Sequence, residues 1–241
     1  AIRAARGLGA NAVVTHSPPE ESTAALARSS GVGYIAYLST AAIDRAWEDP
    51  DARARYAAMQ GVGGVYFEDD DADLVEGYTS VADQARAYQR LKELFPRALA
   101  MHPTRLDPML LDAGYLDAIY RPDFTDVVTP YYYPVGTTFF GSFGEHDAWD
   151  GLLEPMLREL ARRTPPEKPL LPVLQGFEQV GFPVSAGFLP AQFDVYRRVW
   201  PDNDSAAVFD WGDSPDPTPA SPLVGLSFRP ALMAGTRRLL R

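Results

Sequence analysis

The feature that most restricts the fold of this chain is a regular alternation of short apolar segments with longer amphipathic ones. "NAVVTH" (11–16) reads as a strand, and "PPEESTAALARSS" (18–30) as a helix with acidic residues in its first turn. "VGYIAYLST" (32–40) is the next strand, followed by the long helical stretch "AAIDRAWEDPDARARYAAMQ", which Pro50 is expected to interrupt. "GVGGVYFED" (61–69) is again a strand, and "SVADQARAYQRLKELF" (80–95) an amphipathic helix with Ser80 and Asp83 in cap-like places. The pattern continues with strands at 97–104, 126–135, 170–177 and 205–212. Helices are expected around 107–116 and over 145–164, 189–200 and 229–240.

Seven short strands, each followed by a helical crossover, imply a parallel sheet covered on both faces. The opening "AIRAARGLGA" is helix-like and runs straight into the first visible strand. A helix in that place suggests an eighth strand upstream. The expected fold is therefore α/β, a (β/α)8 TIM barrel with seven strands visible and the first missing from this chain, forming one domain over residues 1–241. An open doubly wound sheet is the alternative, but no GxGxxG turn opens any of the helices.

Composition narrows the function. The 241 residues carry a formal net charge of −10, which argues against nucleic acid or an anionic membrane as partner, since both need clustered Lys and Arg. The apolar runs fall far short of the roughly 20 residues that cross a bilayer. There is no cysteine, which excludes disulfides, thiolate metal sites and a Cys nucleophile. A P-loop and a Gly-x-Ser-x-Gly turn are absent too, and no cofactor is expected. The 12 Tyr, 12 Phe and 4 Trp supply flat apolar faces, Tyr and Trp with polar edges, a combination that suits sugar rings as well as a core. The chain begins at Ala1 without Met or a visible signal segment, so a trimmed product is expected, with any export signal removed and the compartment left open between secreted, envelope and other locations.

Active sites of (β/α)8 barrels lie at the carboxyl ends of the strands. Those ends carry His16, Tyr37, the run Glu68-Asp69-Asp70-Asp71, His102, Tyr131 to Tyr133, Gln175 to Glu178, and Asp210-Trp211. The acidic run ends the third visible strand, the fourth of a barrel counted from a missing first. Alternation puts Val65 and Phe67 on one face, suited to the helices, and Tyr66, Glu68 and Asp70 on the other. Two like charges one pleat apart raise the pKa of one of them, giving a proton donor beside a permanent anion. Glycoside hydrolysis uses that pairing. A solvated acidic turn or a cation site accounts for the same residues.

The stretch "GGVYFEDDDAD" resembles the corresponding strand of glycosidase barrels: the chitinase type, the endo-polygalactosaminidase type and the poly-N-acetylglucosamine hydrolases, whose strand carries an Asp-Asp pair. "DVVTPYYYP" is similar to a later strand of such enzymes where a Tyr lies against the sugar, and "KPLLPVLQGFE" with "AAVFDWGD" resembles their closing strands. No single family is matched. The chitinase motif has Glu where Asp70 stands, and the Asn-Glu of the paired-glutamate barrels is absent, Glu178 being the nearest to their second Glu.

The resemblance implies an O-glycosyl hydrolase acting on a poly- or oligosaccharide. Asp70 is then the general acid, Glu68 its charge partner and Asp69 the reserve. His16, Tyr37, His102, Tyr131, Tyr133, Gln175, Glu178, Asp210 and Trp211 are expected to line the sugar subsites. Gln175 lies between apolar neighbours, where a buried amide needs a partner, expected to be a ligand or a carboxylate. A carbohydrate-binding barrel without catalysis is one alternative. A metal-dependent hydrolase using His16, His102 and the acidic run is another, though no His-x-His or His-x-x-x-His spacing occurs and no metal is expected.

Overall fold

A computed structural model describes residues 2–15, 18–67, 80–106, 116–117, 120–133, 149–179, 183–209, 223–225 and 229–240. Its strands are β1 (Ala12–Val14), β2 (Gly33–Leu38), β3 (Val62–Phe67), β4 (Leu99–Arg105), β5 (Val127–Tyr131), β6 (Val173–Gln175), β7 (Phe177–Gln179), β8 (Ala207–Phe209) and β9 (Leu223–Gly225). The helices are α1 (Ile2–Leu8), α2 (Glu21–Ser29), α3 (Thr40–Glu48), α4 (Pro50–Ala58), α5 (Val81–Leu94), α6 (Glu154–Arg163), α7 (Phe188–Val199) and α8 (Pro230–Leu239). No described helix is long and apolar enough to cross a membrane.

Seven strands form one parallel sheet in the order β1-β2-β3-β4-β5-β6-β8. Each strand lies beside the one before it in the sheet, the topology of a (β/α)8 barrel with one strand fewer among the described residues. All seven are the strands the alternation marks. The remaining two, β7 and β9, pair antiparallel, with Phe177 opposite Gly225 and Gln179 opposite Leu223. The sequence reading instead carries the strand at 170–177 into a polar end at Glu178. The chain actually breaks at Gly176, whose N–H donates to the Phe209 carbonyl at 2.8 Å. A Cβ there would lie 2.5 Å from that same oxygen, so only glycine lets the two backbones meet.

By its contacts the chain divides into two compact units, Ala1–Thr104 with Ile119–Thr129, and Arg105–Ala118 with Pro130–Arg241. In the first, Tyr34, Ala36 and Leu38 of β2, Val65 and Phe67 of β3, and Ala100 of β4 pack against Ala24 and Ala27 of α2, Ile43 of α3, and Ala87, Leu91 and Leu94 of α5. Small side chains on both layers let helix and sheet approach closely.

Local chemistry sets the helix starts in this unit. Ser39 caps α3 by accepting from Ala42 N–H, and Asp49 caps α4 by accepting from Asp51 N–H, with Pro50 in the first turn where its missing donor costs nothing. Ser80 and Asp83 form a reciprocal capping box on α5. The amino end of β5 is pinned by Asp126, whose carboxylate accepts from Tyr88 Oη (2.9 Å), Lys92 Nζ (2.7 Å) and Ala100 N–H (2.9 Å).

The second unit holds its strands differently. Gln192 of α7 donates from Nε2 to the Tyr132 carbonyl at 2.9 Å and accepts at Oε1 from Gln175 N–H at 3.1 Å. Both glutamines are fully buried. Tyr196, one turn further along α7, donates to the Pro130 carbonyl at 3.5 Å, and burial pushes its phenol up from the ordinary value.

Candidate active site

In the first unit the carboxyl ends of β2 and β3 lie side by side, with Tyr37 opposite Tyr66 and Leu38 opposite Phe67. Leu38 and Phe67 are buried in the helix layer. Alternation therefore turns Tyr37 and Tyr66 to the other face, where they are half-buried and their rings stack at 6.1 Å with 15° between planes. Tyr66 carries this pair as much as Tyr37 does, and its parity with Tyr37 across the register is the signal for it. Glu68, Asp69 and Asp70 follow Phe67 directly in the chain but lie outside the described residues, as do His16, Asp210 and Trp211.

His102 takes the opposite face. Its ring packs on Phe67 at 5.1 Å between centroids, and its Nε2 lies 3.5 Å from Nε2 of Gln84 on α5. Only 3% of the residue is exposed. The structure thus separates His102 from the Tyr37–Tyr66 face and gives it the place of a core histidine against a helix.

In the second unit Tyr131 and Tyr133 share a side, with ring centroids 5.1 Å apart, while Tyr132 between them is fully buried. Tyr133 is the hub of an aromatic group: it stacks on Phe209 at 5.6 Å and meets Phe177 edge-on at 5.2 Å. Phe177 and Phe209 are brought together by the Gly176 junction, which nothing in the local sequence pattern announces.

Gln175 is a buried polar residue, as its sequence setting implies, but its amide is used in the fold: Nε2 donates to the Phe177 carbonyl at 3.1 Å. That partner is backbone, where the sequence reading expects a ligand or a carboxylate. Glu178 sits on the antiparallel ribbon, its carboxylate ion-paired with Arg229 and accepting from Val184 N–H at 3.4 Å. Gln192 is a further buried amide outside the strand-end pattern, and a Gln among Leu189, Val195 and Tyr196 on the buried stripe of α7 is the signal that marks it. Among the described residues no group of three His, Asp or Glu side chains is placed to hold a metal ion.

The fold has counterparts among solved structures. The β-galactosidase of the psychrophilic Marinomonas ef1 overlays with a TM-score of 0.62 and 11% identity over 99% of this chain and 56% of its own. The β-D-glucuronidase of Dictyoglomus thermophilum gives 0.60 and 14% over 87% of this chain and 40% of its own. A β-galacturonidase of Eisenbergiella tayi, solved with galacturonate, gives 0.57 and 12% over 97% and 45%. The chain thus spans about half the length, or less, of these relatives. No family model matches the sequence, and no curated protein matches it either. These three are glycoside hydrolases, and at such identity the likeness is one of fold alone: an α/β barrel.

Proposed function

We propose that the chain is a glycoside hydrolase, folded as one barrel domain, that cleaves an O-glycosyl bond at the carboxyl end of β3. The observation that carries this reading is the position of the acidic run: Glu68 to Asp71 follow at once on Phe67, the last residue of a parallel strand in a glycosidase-type fold. Carboxyl ends of such strands are where barrel enzymes work.

In the proposed reaction the protonated carboxyl of Asp70 gives its proton to the leaving glycosidic oxygen. The anionic Glu68 stabilises the positive charge that develops at the anomeric carbon, and water completes the hydrolysis. Asp69 is the reserve acid. Glu68 and Asp70 have the strand parity of Tyr66, so the stacked Tyr37–Tyr66 pair is the flanking surface for a sugar ring. Tyr131 and Tyr133, half-buried beside Phe209, offer a similar aromatic surface in the second unit.

The test is a panel of substrates with the purified protein: aryl β-glucuronide, β-galacturonide and β-galactoside, chosen from the activities named for the similar structures, and polysaccharides that include amino-sugar polymers. Released aryl alcohol or reducing ends are measured beside Asp70→Asn. Loss of at least about a hundredfold in that variant is expected for removal of a general acid. Unchanged turnover in Asp70→Asn discards the assignment. Sugar binding without turnover in the parent protein marks a non-catalytic carbohydrate-binding barrel instead.

A further inference from the structure

We propose a second site, for a small phosphate monoester or comparable organic dianion, at the amino end of β3. A hollow of about 330 Å³ opens there, lined by Arg28 of α2, Tyr56 and Met59 at the end of α4, Gly61 before β3, and Phe95 and Arg97 beyond α5. Its volume is at the lower end of the range that ligand pockets occupy. It lies wholly within the first unit. From Val62 to Phe67 the strand rises about 17 Å, so the site is distinct from the carboxyl end where hydrolysis is proposed.

Charge makes the case. In a chain of net charge −10, several arginines are taken up by carboxylates, whereas two that are not meet at this one hollow. Arg86 and Arg90 pair with Asp44, Arg158 and Arg198 with Glu154, and Arg163 with Asp117. Arg28 and Arg97 have no carboxylate partner among the described residues. The guanidinium of Arg28 reaches only the Gln60 carbonyl, at 3.4 Å, and both side chains are exposed at the rim of one hollow. Arg28 stands in the last turn of α2, where the helix dipole favours a cation. That accounts for its position but leaves its donors open, and it does not account for Arg97.

The backbone is shaped around Arg28. Gly61 has φ +87°, and a Cβ there would come within 3.2 Å of Arg28 Nη1, so glycine permits both the turn and the guanidinium that lies across it. Behind the rim, Tyr56 and Phe95 stack at 5.1 Å and 25° beside Met59 and Val62. Two forked cations in front of an apolar wall suit a ligand with an anionic head and a small apolar body. Guanidinium matches phosphate oxygens two at a time.

Phenyl phosphate and inorganic phosphate serve as probes of the full chain at low salt, by isothermal titration and thermal unfolding. Expected are saturable binding, tighter for phenyl phosphate than for phosphate, and weaker at pH 5 than at pH 7.5 because a phosphate ester loses its second charge near pH 6. The double variant Arg28→Gln/Arg97→Gln should weaken it by about tenfold or more. Both substitutions are at exposed positions, and Arg28→Lys, which keeps the charge without the fork, should fall between. No saturation up to about 10 mM, or equal affinity in the double variant, overturns the site. Neither outcome bears on hydrolysis, which is measured separately with Asp70→Asn.

Discussion

The two compact units solve the same problem by different means. The first relies on strands of six and seven residues (β2, β3, β4) laid on helices through alanine, leucine and large aromatics such as Tyr34 and Phe67. The second has three-residue strands, β6 and β8, and positions them with the Gln192 amide, the Gly176 backbone contact and an antiparallel ribbon. Apolar packing is non-directional and tolerates many sequences, whereas a buried amide or a sub-van-der-Waals backbone approach admits almost none. The first unit should therefore respond to lost volume, and the second to a single added atom or a lost polar partner.

The largest effect should come from Phe67→Ala. The ring is almost completely buried and touches His102, so its removal should cost about 3–5 kcal/mol. Chemical denaturation with unchanged slope measures it; a loss under about 1 kcal/mol would show that packing is not what holds the first unit. The counterpart in the second unit is Gly176→Ala. The new methyl meets the Phe209 carbonyl oxygen and Val208 Cγ1, each at 2.5 Å, and the former is backbone that no rotamer can move. A cost of about 1–3 kcal/mol is expected. Near-ultraviolet dichroism should change with it, because Phe177, Phe209 and Tyr133 meet at that junction. An alanine variant as stable as the parent would remove the distinction between the units.

The same contrast explains what could be read in advance. All seven parallel strands, the break at Pro50 and the Ser80–Asp83 cap follow from patterns within a few residues, which is where propensity, capping and alternation act. The β7–β9 ribbon joins Phe177 to Gly225 across nearly fifty residues, and no local pattern encodes such a pairing. Alternation also gave the face of Phe67, and with it that of Tyr66. It did not give the face of His102, since a polar residue in an apolar strand reads equally as rim or as core until Gln84 is found opposite it. Gln175 was legible as a buried amide in need of partners, and one of them lies two residues on, across a bend at Gly176. The acidic run was legible as a motif alone; its chemistry rests on the Asp70→Asn test.

Asp126 tests whether the first unit has one directional contact of its own. Burial acts to raise its pKa, but the Ala100 N–H, the Lys92 ammonium and the Tyr88 hydroxyl outweigh it and hold the carboxyl below the usual range. Its contribution to stability is therefore full above about pH 4 and is lost as pH falls through the lowered folded value. Tyr88 runs the other way. Burial first, then the bond to Asp126 and its charge, pushes the phenol up to about 12, so its contribution holds below pH 10 and disappears as pH rises through that value. Asp126→Asn should cost about 1–2 kcal/mol near neutrality. The difference from the parent should be flat between about pH 5 and 9 and shrink at both ends. A difference that grows toward acid would overturn the assignment.

The smallest effect belongs to Ser80→Ala at the start of α5. Its hydroxyl accepts from Asp83 N–H at 3.1 Å and donates to the Asp83 carboxylate at 2.6 Å, while Ser80 N–H donates to the same carboxylate at 3.1 Å. Loss of the hydroxyl removes two of these three bonds at an exposed helix end, for about 1 kcal/mol. A second readout separates capping from general destabilisation. The Ser80 hydroxyl is the leading cause of the lowered pKa of Asp83, with Arg86 next, so carboxyl titration by NMR should show Asp83 moving up toward its ordinary value in the variant. An unmoved Asp83 beside an unchanged melting point would mean that the packing of Ala87, Leu91 and Leu94 alone orders α5, and the first unit would then be apolar in its logic to the very ends of its helices.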